Sequence, residues 1–158
     1  MALDQILARL VENELEFVLI GGYAAVLHGS PIPTLDVDVC LKFSKENLNR
    51  LAAAFGDLHP KHRITPQKLP LEITDRSWID WKNIYLQTDL GILDCLGLVK
   101  GIGGYEEVLA DSKVVDLPVG KCRVITLDAL IRAKEAVGRP NDLKTVTHLK
   151  LIQQHKGV

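Results

Sequence analysis

The sequence predicts an α/β (α+β) fold in which a small mixed β-sheet is flanked by helices. Segments with the apolar period of helices alternate with short, almost wholly apolar runs that are typical of buried strands. The order is helix, strand, helix, then several strands, then two helices, which favours α/β or α+β over an all-helical or all-β protein. With 158 residues and 47% hydrophobic content, the chain is expected to form one domain over residues 1–158.

The first third of the chain alternates helices with buried strands. Gly29 and the prolines after it stop the second helix, and Ser44 is the expected N-cap of the third. The predicted elements of this part are an amphipathic helix ending near Glu14, a strand over 17–20, a short helix over 23–28, a strand over 36–41 and a helix from 45 to 55.

The remaining two thirds are predicted to begin irregularly, because residues 56–77 contain three prolines. Thr126 is the expected N-cap of a late helix that Gly138 ends. The predicted elements of this part are strands over 78–87 and 92–99 joined by the turn "TDLG", a short helix after the glycines at 101–104, a pair of short strands over 112–126, and helices over 127–138 and 141–154.

Charge and cysteine content exclude several classes of protein. The formal net charge is −1, so no chain-wide basic field points to nucleic acid or to a membrane surface. No apolar run approaches the roughly 20 residues needed to span a bilayer. The three cysteines are widely spaced among aliphatic residues, which indicates reduced, buried thiols rather than a disulfide framework or a zinc site. We therefore expect a cytoplasmic protein with no membrane partner.

Two aspartates on one predicted strand are the least expected feature of the sequence. Alternate residues of a strand share a face, so Asp36 and Asp38 point the same way, opposite to Val37 and Val39. Neighbouring carboxylates repel each other, and aspartate is a poor strand former. Bound divalent cations offset that repulsion, and two Mg²⁺ ions about 4 Å apart serve phosphoryl chemistry. The alternative is a turn-forming Asp36 and a solvated Asp38.

Gly21 and Gly22 stand where the first strand gives way to a helix. Unpaired backbone N–H groups at such a point favour phosphate, and glycine lets a phosphate approach the backbone closely. A tight turn without a ligand is the alternative. A phosphate cradle followed by a carboxylate pair indicates a nucleoside triphosphate with its metal ions.

A family resemblance begins with these residues. Ile20-Gly21-Gly22, a spacer of thirteen residues and Asp36-Val37-Asp38-Val39 resemble the signature of the nucleotidyltransferase superfamily that includes DNA polymerase beta. The stretch "GGYAAVLHGSPIPTLDVDV" is similar to minimal bacterial and archaeal members, including toxin-type and abortive-infection-type enzymes. The segments "YLQTDLGILDCLG" and "LDALIRAKEAVGRPNDLKTVTHLKLI" resemble later parts of that family, in the same order. The resemblance therefore covers most of the chain.

The resemblance implies the nucleotidyltransferase core fold and a metal-dependent transfer of a nucleoside monophosphate from an NTP, with ATP expected, to an acceptor hydroxyl. The acceptor, a small molecule, a protein or RNA, stays open. The implied catalytic residues and ligands of Mg²⁺ or Mn²⁺ are Asp36, Asp38 and Asp94, of which Asp94 also helps to deprotonate the acceptor. The implied nucleotide-binding residues are Gly21, Gly22, His28, Thr34 and Lys134.

Several of these residues also have a structural explanation. A structural ion pair is the alternative for Asp94, and Asp89 is a rival third carboxylate that suits the turn better. His28 fits a contact at a helix end, and Thr34 fits a hydroxyl that bonds within its loop. Lys134 follows the ordinary pattern of cations near a helix C-terminus.

Ile32 departs from the resemblance, because the similar minimal members usually carry arginine in the loop before Thr34. The change implies an altered substrate choice, compensation by another cation, or lost activity, and the three retained carboxylates favour an active enzyme. The one concentrated basic segment, "HPKHRITPQK" at 59–68, is either a solvated loop or an acceptor-binding surface.

Two alternatives to an ordinary enzyme stay open. One is a non-catalytic nucleotidyltransferase-like protein that binds a nucleotide or a partner, and Ile32 favours it. The other is the toxin component of a toxin–antitoxin pair, which modifies tRNA or a protein and needs an antitoxin. An antitoxin or a second subunit is therefore an expected partner besides the NTP and the acceptor.

Overall fold

A computed structural model describes residues 2–73 and 79–156 of the chain. The helices are α1 (Ala2–Glu12), α2 (Gly21–Leu27), α3 (Lys45–Phe55), α4 (Tyr105–Ala110), α5 (Leu127–Val137) and α6 (Pro140–Lys156), with a 3₁₀ turn at Gly56–Leu58. The strands are β1 (Phe17–Ile20), β2 (Asp36–Leu41), β3 (Lys61–His62), β4 (Asn83–Thr88), β5 (Gly91–Leu96), β6 (Leu98–Val99), β7 (Gly103–Gly104), β8 (Ser112–Leu117) and β9 (Gly120–Ile125).

Within these two ranges, seven strands form one mixed sheet in the order β3-β4-β5-β2-β1-β9-β8. The β2–β5 and β1–β9 pairs are parallel, and the other neighbouring strands are antiparallel. Strands β6 and β7 form a separate two-stranded sheet. The predicted α/β fold with a mixed sheet and flanking helices is confirmed.

The two faces of the sheet are covered differently. Helix α1 contacts β2, β5 and β9, and a Cβ built on Gly91 would lie 3.7 Å from Ile6 of that helix. Because residues alternate along a strand, α1 covers the face that carries Val37 and Val39, both fully buried. Helix α4 contacts β1, β2 and β9. The face opposite α1 carries the aspartates of β2, next to a buried Cys40.

Several element boundaries differ from the sequence prediction. Helix α2 begins at Gly21 itself, since its first turn follows β1 without a break. The segment 56–77 was predicted to be irregular, but it contains the short edge strand β3, which pairs with β4. The strand predicted over 78–87 begins only at Asn83, and Trp78 lies outside the described residues. A two-residue strand carries too little pattern to be recognised in sequence.

The predicted helix caps and thiols are confirmed. Ser44 Oγ accepts a hydrogen bond of 3.2 Å from the backbone N–H of Asn47, and Thr126 Oγ1 accepts one of 3.3 Å from Ala129. Gly138 ends α5 in the left-handed conformation, with a φ of 70°. All three cysteines are free and buried. No helix in the described ranges is long and apolar enough to cross a bilayer.

Ser44→Ala removes the cap of α3 without touching the core. We expect the free energy of unfolding to fall by about 1 kcal/mol, because one first-turn N–H loses its partner. Equilibrium urea denaturation measures the change. Glycine at the same position should cost only a few tenths of that energy, and equal losses in the two variants would contradict the capping role.

Candidate active site

Three carboxylates meet at the centre of the sheet, where β2 and β5 lie side by side. In this parallel pair, Asp38 stands directly opposite Asp94, and Asp36 stands opposite Ile92. Each of the three carboxylates offers an oxygen, and these oxygens all lie within 4.8 Å of one another. Asp94 is buried, whereas Asp36 and Asp38 are half-buried. The structure thus brings together the three carboxylates that the sequence singled out and leaves Asp89 in the turn before β5.

The electrostatics of this cluster are unfavourable without a cation. Burial, together with repulsion from Asp36 and Asp94, raises the pKa of Asp38 to about 7 against the opposing effect of Lys134 and Arg63. Burial also raises the pKa of Asp94, and Arg63 opposes the rise. A cluster whose carboxylates resist ionisation together has the charge distribution of a cation site.

Arg63 already supplies one positive charge to the cluster. Its Nε lies 3.1 Å from Asp94 Oδ1, and its Nη2 lies 2.5 Å from Asp94 Oδ2, so the ion pair is bidentate. A guanidinium buried permanently among all three carboxylates would argue against a metal site. Arg63, however, pairs with Asp94 alone, and no ion pair among the described residues involves Asp36 or Asp38. With all three carboxylates ionised, the cluster and its arginine carry a net charge of about −2.

A cavity of about 440 Å³ opens beside the carboxylates. Its polar lining includes Asp38 and Asp94 of the carboxylate cluster, together with Lys134, Arg139 and Asp142. Its apolar walls are formed by Leu96, Leu98, Val99, Ile125, Leu130, Ala133 and Val137. A volume of this size, with a few polar groups on an otherwise apolar lining, is typical of small-molecule sites.

Comparisons with known proteins bear on the fold of the chain. No family model and no curated protein matches the chain. Among solved structures, the lincomycin-bound lincosamide antibiotic adenylyltransferase LnuA is 17% identical, with a TM-score of 0.65 and 96% of each chain covered. A Thermotoga maritima protein assigned as a nucleotidyltransferase is also 17% identical, with a TM-score of 0.57 over 92% of this chain and 88% of that chain.

The antibiotic-resistance factor ANT(2'')-Ia is a further similar structure. Its solution structure is 17% identical in sequence, with a TM-score of 0.58 over 98% of this chain and 82% of that one. Its complex with adenylyl-2''-tobramycin is 16% identical, with a TM-score of 0.55 over 96% of this chain and 92% of that one. The chain has the nucleotidyltransferase fold. The fold expected from the sequence resemblance is thereby confirmed.

The two glycines of this nucleotidyltransferase fold pack tightly against neighbouring side chains. Gly21 adopts a φ of 67°, and a Cβ there would lie 2.4 Å from Asp38 Oδ2. A Cβ on Gly22 would lie 2.7 Å from Thr34 Oγ1. Glycine is therefore required at both positions for the backbone to approach Asp38 and Thr34. A phosphate contact through their backbone N–H groups stays a prediction.

Thr34 and His28 have structural partners in the nucleotidyltransferase fold. Thr34 Oγ1 donates a hydrogen bond of 3.1 Å to the carbonyl of Asp36, which fixes the entry into β2. His28 Nε2 lies 2.8 Å from the carbonyl of Ile125, and burial lowers the pKa of the imidazole. Neither contact reaches the carboxylate cluster, so a nucleotide contact for these two residues stays a prediction.

Lys134 lies between two cavities of the nucleotidyltransferase fold. Its Nζ is 3.7 Å from Asp142 Oδ1, and its side chain lines the larger cavity as well as a second one of about 290 Å³. Ile32 and Lys144 also line the second cavity. Two lysines therefore line the same cavity as Ile32. Compensation by either of them for the expected arginine stays a prediction.

Asp142, at the start of α6, forms ion pairs with Lys134 of α5 and with Arg139. It was not among the site residues predicted from the sequence. Arg139 Nε donates a hydrogen bond of 2.7 Å to its carboxylate, and Lys134 approaches the other oxygen. Burial alone would raise the pKa of Asp142, but Arg139 and Lys134 outweigh burial and hold the pKa below its ordinary value of 3.8. The Asp142 carboxylate therefore holds Arg139 and Lys134 at the wall of the larger cavity.

Asp142→Asn should make stability less dependent on pH. Because the folded pKa is lowered, the ionised carboxylate stabilises the fold above about pH 4, and that contribution is lost as the pH falls through the folded pKa. We expect the variant to lose roughly 1.5–2 kcal/mol of unfolding free energy near neutral pH, and much less at low pH. Urea denaturation across that pH range measures the difference. A loss that is equal at both ends of the range would contradict the ion-pair explanation.

Proposed function

We propose that the protein transfers a nucleoside monophosphate from an NTP to an acceptor hydroxyl and releases pyrophosphate. The observation that carries the proposal is the convergence of Asp36, Asp38 and Asp94, with ligand oxygens within 4.8 Å, beside a cavity in a nucleotidyltransferase fold. Two similar structures, the adenylyltransferase LnuA and the complex of ANT(2'')-Ia with adenylyl-2''-tobramycin, support nucleotidyl transfer as the activity.

The donor set of the cluster fits a hard divalent cation. Oxygen ligands alone, from a few carboxylates, suit Mg²⁺ or Mn²⁺, which leave room for phosphate oxygens and water. Asp36 and Asp38 would hold the ions, and Asp94 would complete one ion site. When bound, such ions neutralise charge that develops on the phosphoryl oxygens and on the leaving pyrophosphate.

The protein's own residues have distinct roles in this reaction. Asp94 accepts the proton of the acceptor hydroxyl as a bond forms between the acceptor oxygen and the α-phosphorus. The bond between the α-phosphorus and the oxygen of pyrophosphate breaks, and pyrophosphate leaves. Lys134 and the backbone N–H groups of Gly21 and Gly22 hold the triphosphate, which places the α-phosphorus near the carboxylates.

ATP is the proposed donor, and a small hydroxylated compound is the proposed acceptor. The larger cavity has the volume of a small-molecule site, and much of its wall is apolar. Two similar structures have antibiotics as acceptors: LnuA is a lincosamide antibiotic adenylyltransferase, and ANT(2'')-Ia is in complex with adenylyl-2''-tobramycin. These observations favour a small molecule over a protein or RNA.

The proposal is tested with ATP labelled at the α-phosphate. The label should move to at least one member of a panel of small hydroxylated compounds, with an equal amount of pyrophosphate released, only when Mg²⁺ or Mn²⁺ is present. Lincomycin and tobramycin belong in that panel, because similar structures bind them or their product. A chelator should stop both signals.

The second candidate function is nucleotide binding without transfer. The bidentate Arg63–Asp94 ion pair favours it, because a carboxylate engaged through both oxygens accepts a proton less readily. Calorimetry with ATP and Mg²⁺ separates the two functions when it is combined with the labelled-ATP assay. Tight binding with no label transferred to any acceptor would favour the second candidate.

A further inference from the structure

Arg63 reaches the carboxylate cluster from the edge of the sheet. It directly follows the edge strand β3, and its backbone N–H donates a hydrogen bond of 2.9 Å to the carbonyl of Tyr85 in β4. Its guanidinium carbon lies 5.6 Å from the centre of the Tyr85 ring, which is within the range of a cation–π contact. The side chain thus crosses the outer strand to reach Asp94 on the next one.

The Arg63 guanidinium and a divalent cation need the same oxygens. Arg63 engages both oxygens of Asp94, with Nε on one and Nη2 on the other. Among the described residues, it is the one cation in ion-pair contact with any of the three carboxylates. A divalent ion held between Asp38 and Asp94 would therefore stand next to a positive charge, and the two cations would repel each other.

Arg63 is the partner that can move. Asp94 belongs to β5, which is paired on both sides by β2 and β4, and its side chain is 10% exposed. The Arg63 side chain is 30% exposed and lines the same cavity as Tyr85 and Asp94. Rotation of the Arg63 side chain into this cavity would release Asp94 without disturbing the central strands.

We propose that Arg63 is a displaceable counter-ion, which pairs with Asp94 while the carboxylate cluster holds no metal and leaves Asp94 when a divalent cation binds. The proposal rests on the proposed function for its metal site. Arg63 acts through Asp94 and is therefore a positioning residue. By competing with the ion, it sets the concentration of divalent cation at which the third carboxylate joins the site.

Mn²⁺ binding to the full-length protein, measured by calorimetry without nucleotide, tests this role. We expect Arg63→Gln to bind Mn²⁺ about tenfold more tightly than the wild type, because a like charge next to the ion is removed. Arg63→Lys keeps the charge but loses the bidentate geometry, so its affinity should lie between the two. In an Asp94→Asn background, Arg63→Gln should change Mn²⁺ affinity by much less. The asparagine has no charged carboxylate for which Arg63 and the ion could compete.

Arg50→Gln is the matched control, because it removes the same charge from an exposed ion pair with Glu46 on α3. It should leave Mn²⁺ affinity unchanged. Weaker Mn²⁺ binding by Arg63→Gln would overturn the proposal, since the ion pair with Asp94 would then favour metal binding instead of competing with it, while the metal site and the proposed function would stand. Failure of the wild type and of both Arg63 variants to bind Mn²⁺ would overturn the metal site itself. A thermal melt confirms that each variant is folded.

Discussion

Asp38→Asn should lower nucleotidyl transfer by at least about 1,000-fold while the protein stays folded. Asp38 stands between the other two carboxylates, opposite Asp94 on the neighbouring strand and two residues from Asp36. An amide is a much weaker ligand for Mg²⁺ than a carboxylate, so several kcal/mol of transition-state stabilisation are lost. Each loss of about 1.4 kcal/mol of stabilisation lowers the rate tenfold. The labelled-ATP assay measures the loss.

The same variant should be more stable than the wild type when divalent cations are absent. Burial, together with repulsion from Asp36 and Asp94, raises the pKa of Asp38 to about 7 in the folded protein. A raised pKa means that ionisation of Asp38 destabilises the fold, and this cost grows as the pH rises from the unfolded value through about 7. The stability gained by Asp38→Asn should therefore increase over this range, to at most about 4 kcal/mol above it.

Asp116→Asn is the control for Asp38→Asn, because it makes the same chemical change on the edge strand β8, where the side chain is 84% exposed. It should alter neither transfer nor stability by a measurable amount. Full transfer activity in Asp38→Asn would rule out the assignment of Asp38 as a metal ligand. A stability gain that does not vary with pH would mean that ionisation of the buried Asp38 is not the source of that gain.

Gly21→Ala should cost about 3 kcal/mol of unfolding free energy and weaken Mn²⁺ binding. The backbone there has a φ of 67°, which disfavours any residue with a Cβ by roughly 1–2 kcal/mol. The new methyl group would also lie 2.4 Å from Asp38 Oδ2, so Asp38 or the first turn of α2 must shift. Urea denaturation and Mn²⁺ calorimetry measure the two effects.

Two further variants separate the clash from the backbone strain. Gly56→Ala adds a methyl group where nothing lies within 4 Å and where φ is −58°, so stability should stay the same or rise slightly. In an Asp38→Ala background, Gly21→Ala should cost less, because the carboxylate that it meets is gone and only the contact with the Cβ of residue 38, at 2.8 Å, remains. Additive costs for these two substitutions would show that contact with the Asp38 carboxylate contributes nothing to the cost of Gly21→Ala.

The sequence was sufficient to predict the central part of the fold. The strands over 17–20 and 36–41 have the predicted bounds. Short apolar runs between glycine, proline and charged residues leave little freedom in where a strand begins and ends. Ser44 and Thr126 cap the starts of their helices and Gly138 ends α5 as predicted, since capping depends on local chemistry. Asp36 and Asp38 were found by strand alternation, whereas Asp94 depended on the family resemblance.

Contacts between distant segments could not be predicted in the same way. Arg63 lies in a basic, proline-containing segment, and no periodic pattern connects it with Asp94. The contact exists because β3 pairs with β4, and two residues are too few to show a strand signal. Asp142 is similar, because its spacing from Arg139 is a local signal but its contact with Lys134 needs the packing of α5 on α6.

The parallel pairing of β2 with β5 also affects how the protein folds. Parallel strands cannot be joined by a hairpin, and here α3, β3 and β4 lie between them in the chain. Such long-range pairing costs loop-closure entropy before it gains contacts, so it tends to be slow. Asp38 and Asp94, which face each other at the centre of this pair, do not stabilise it before a cation can bind to both strands. An ion that needs both strands should therefore slow unfolding and leave the rate of folding almost unchanged.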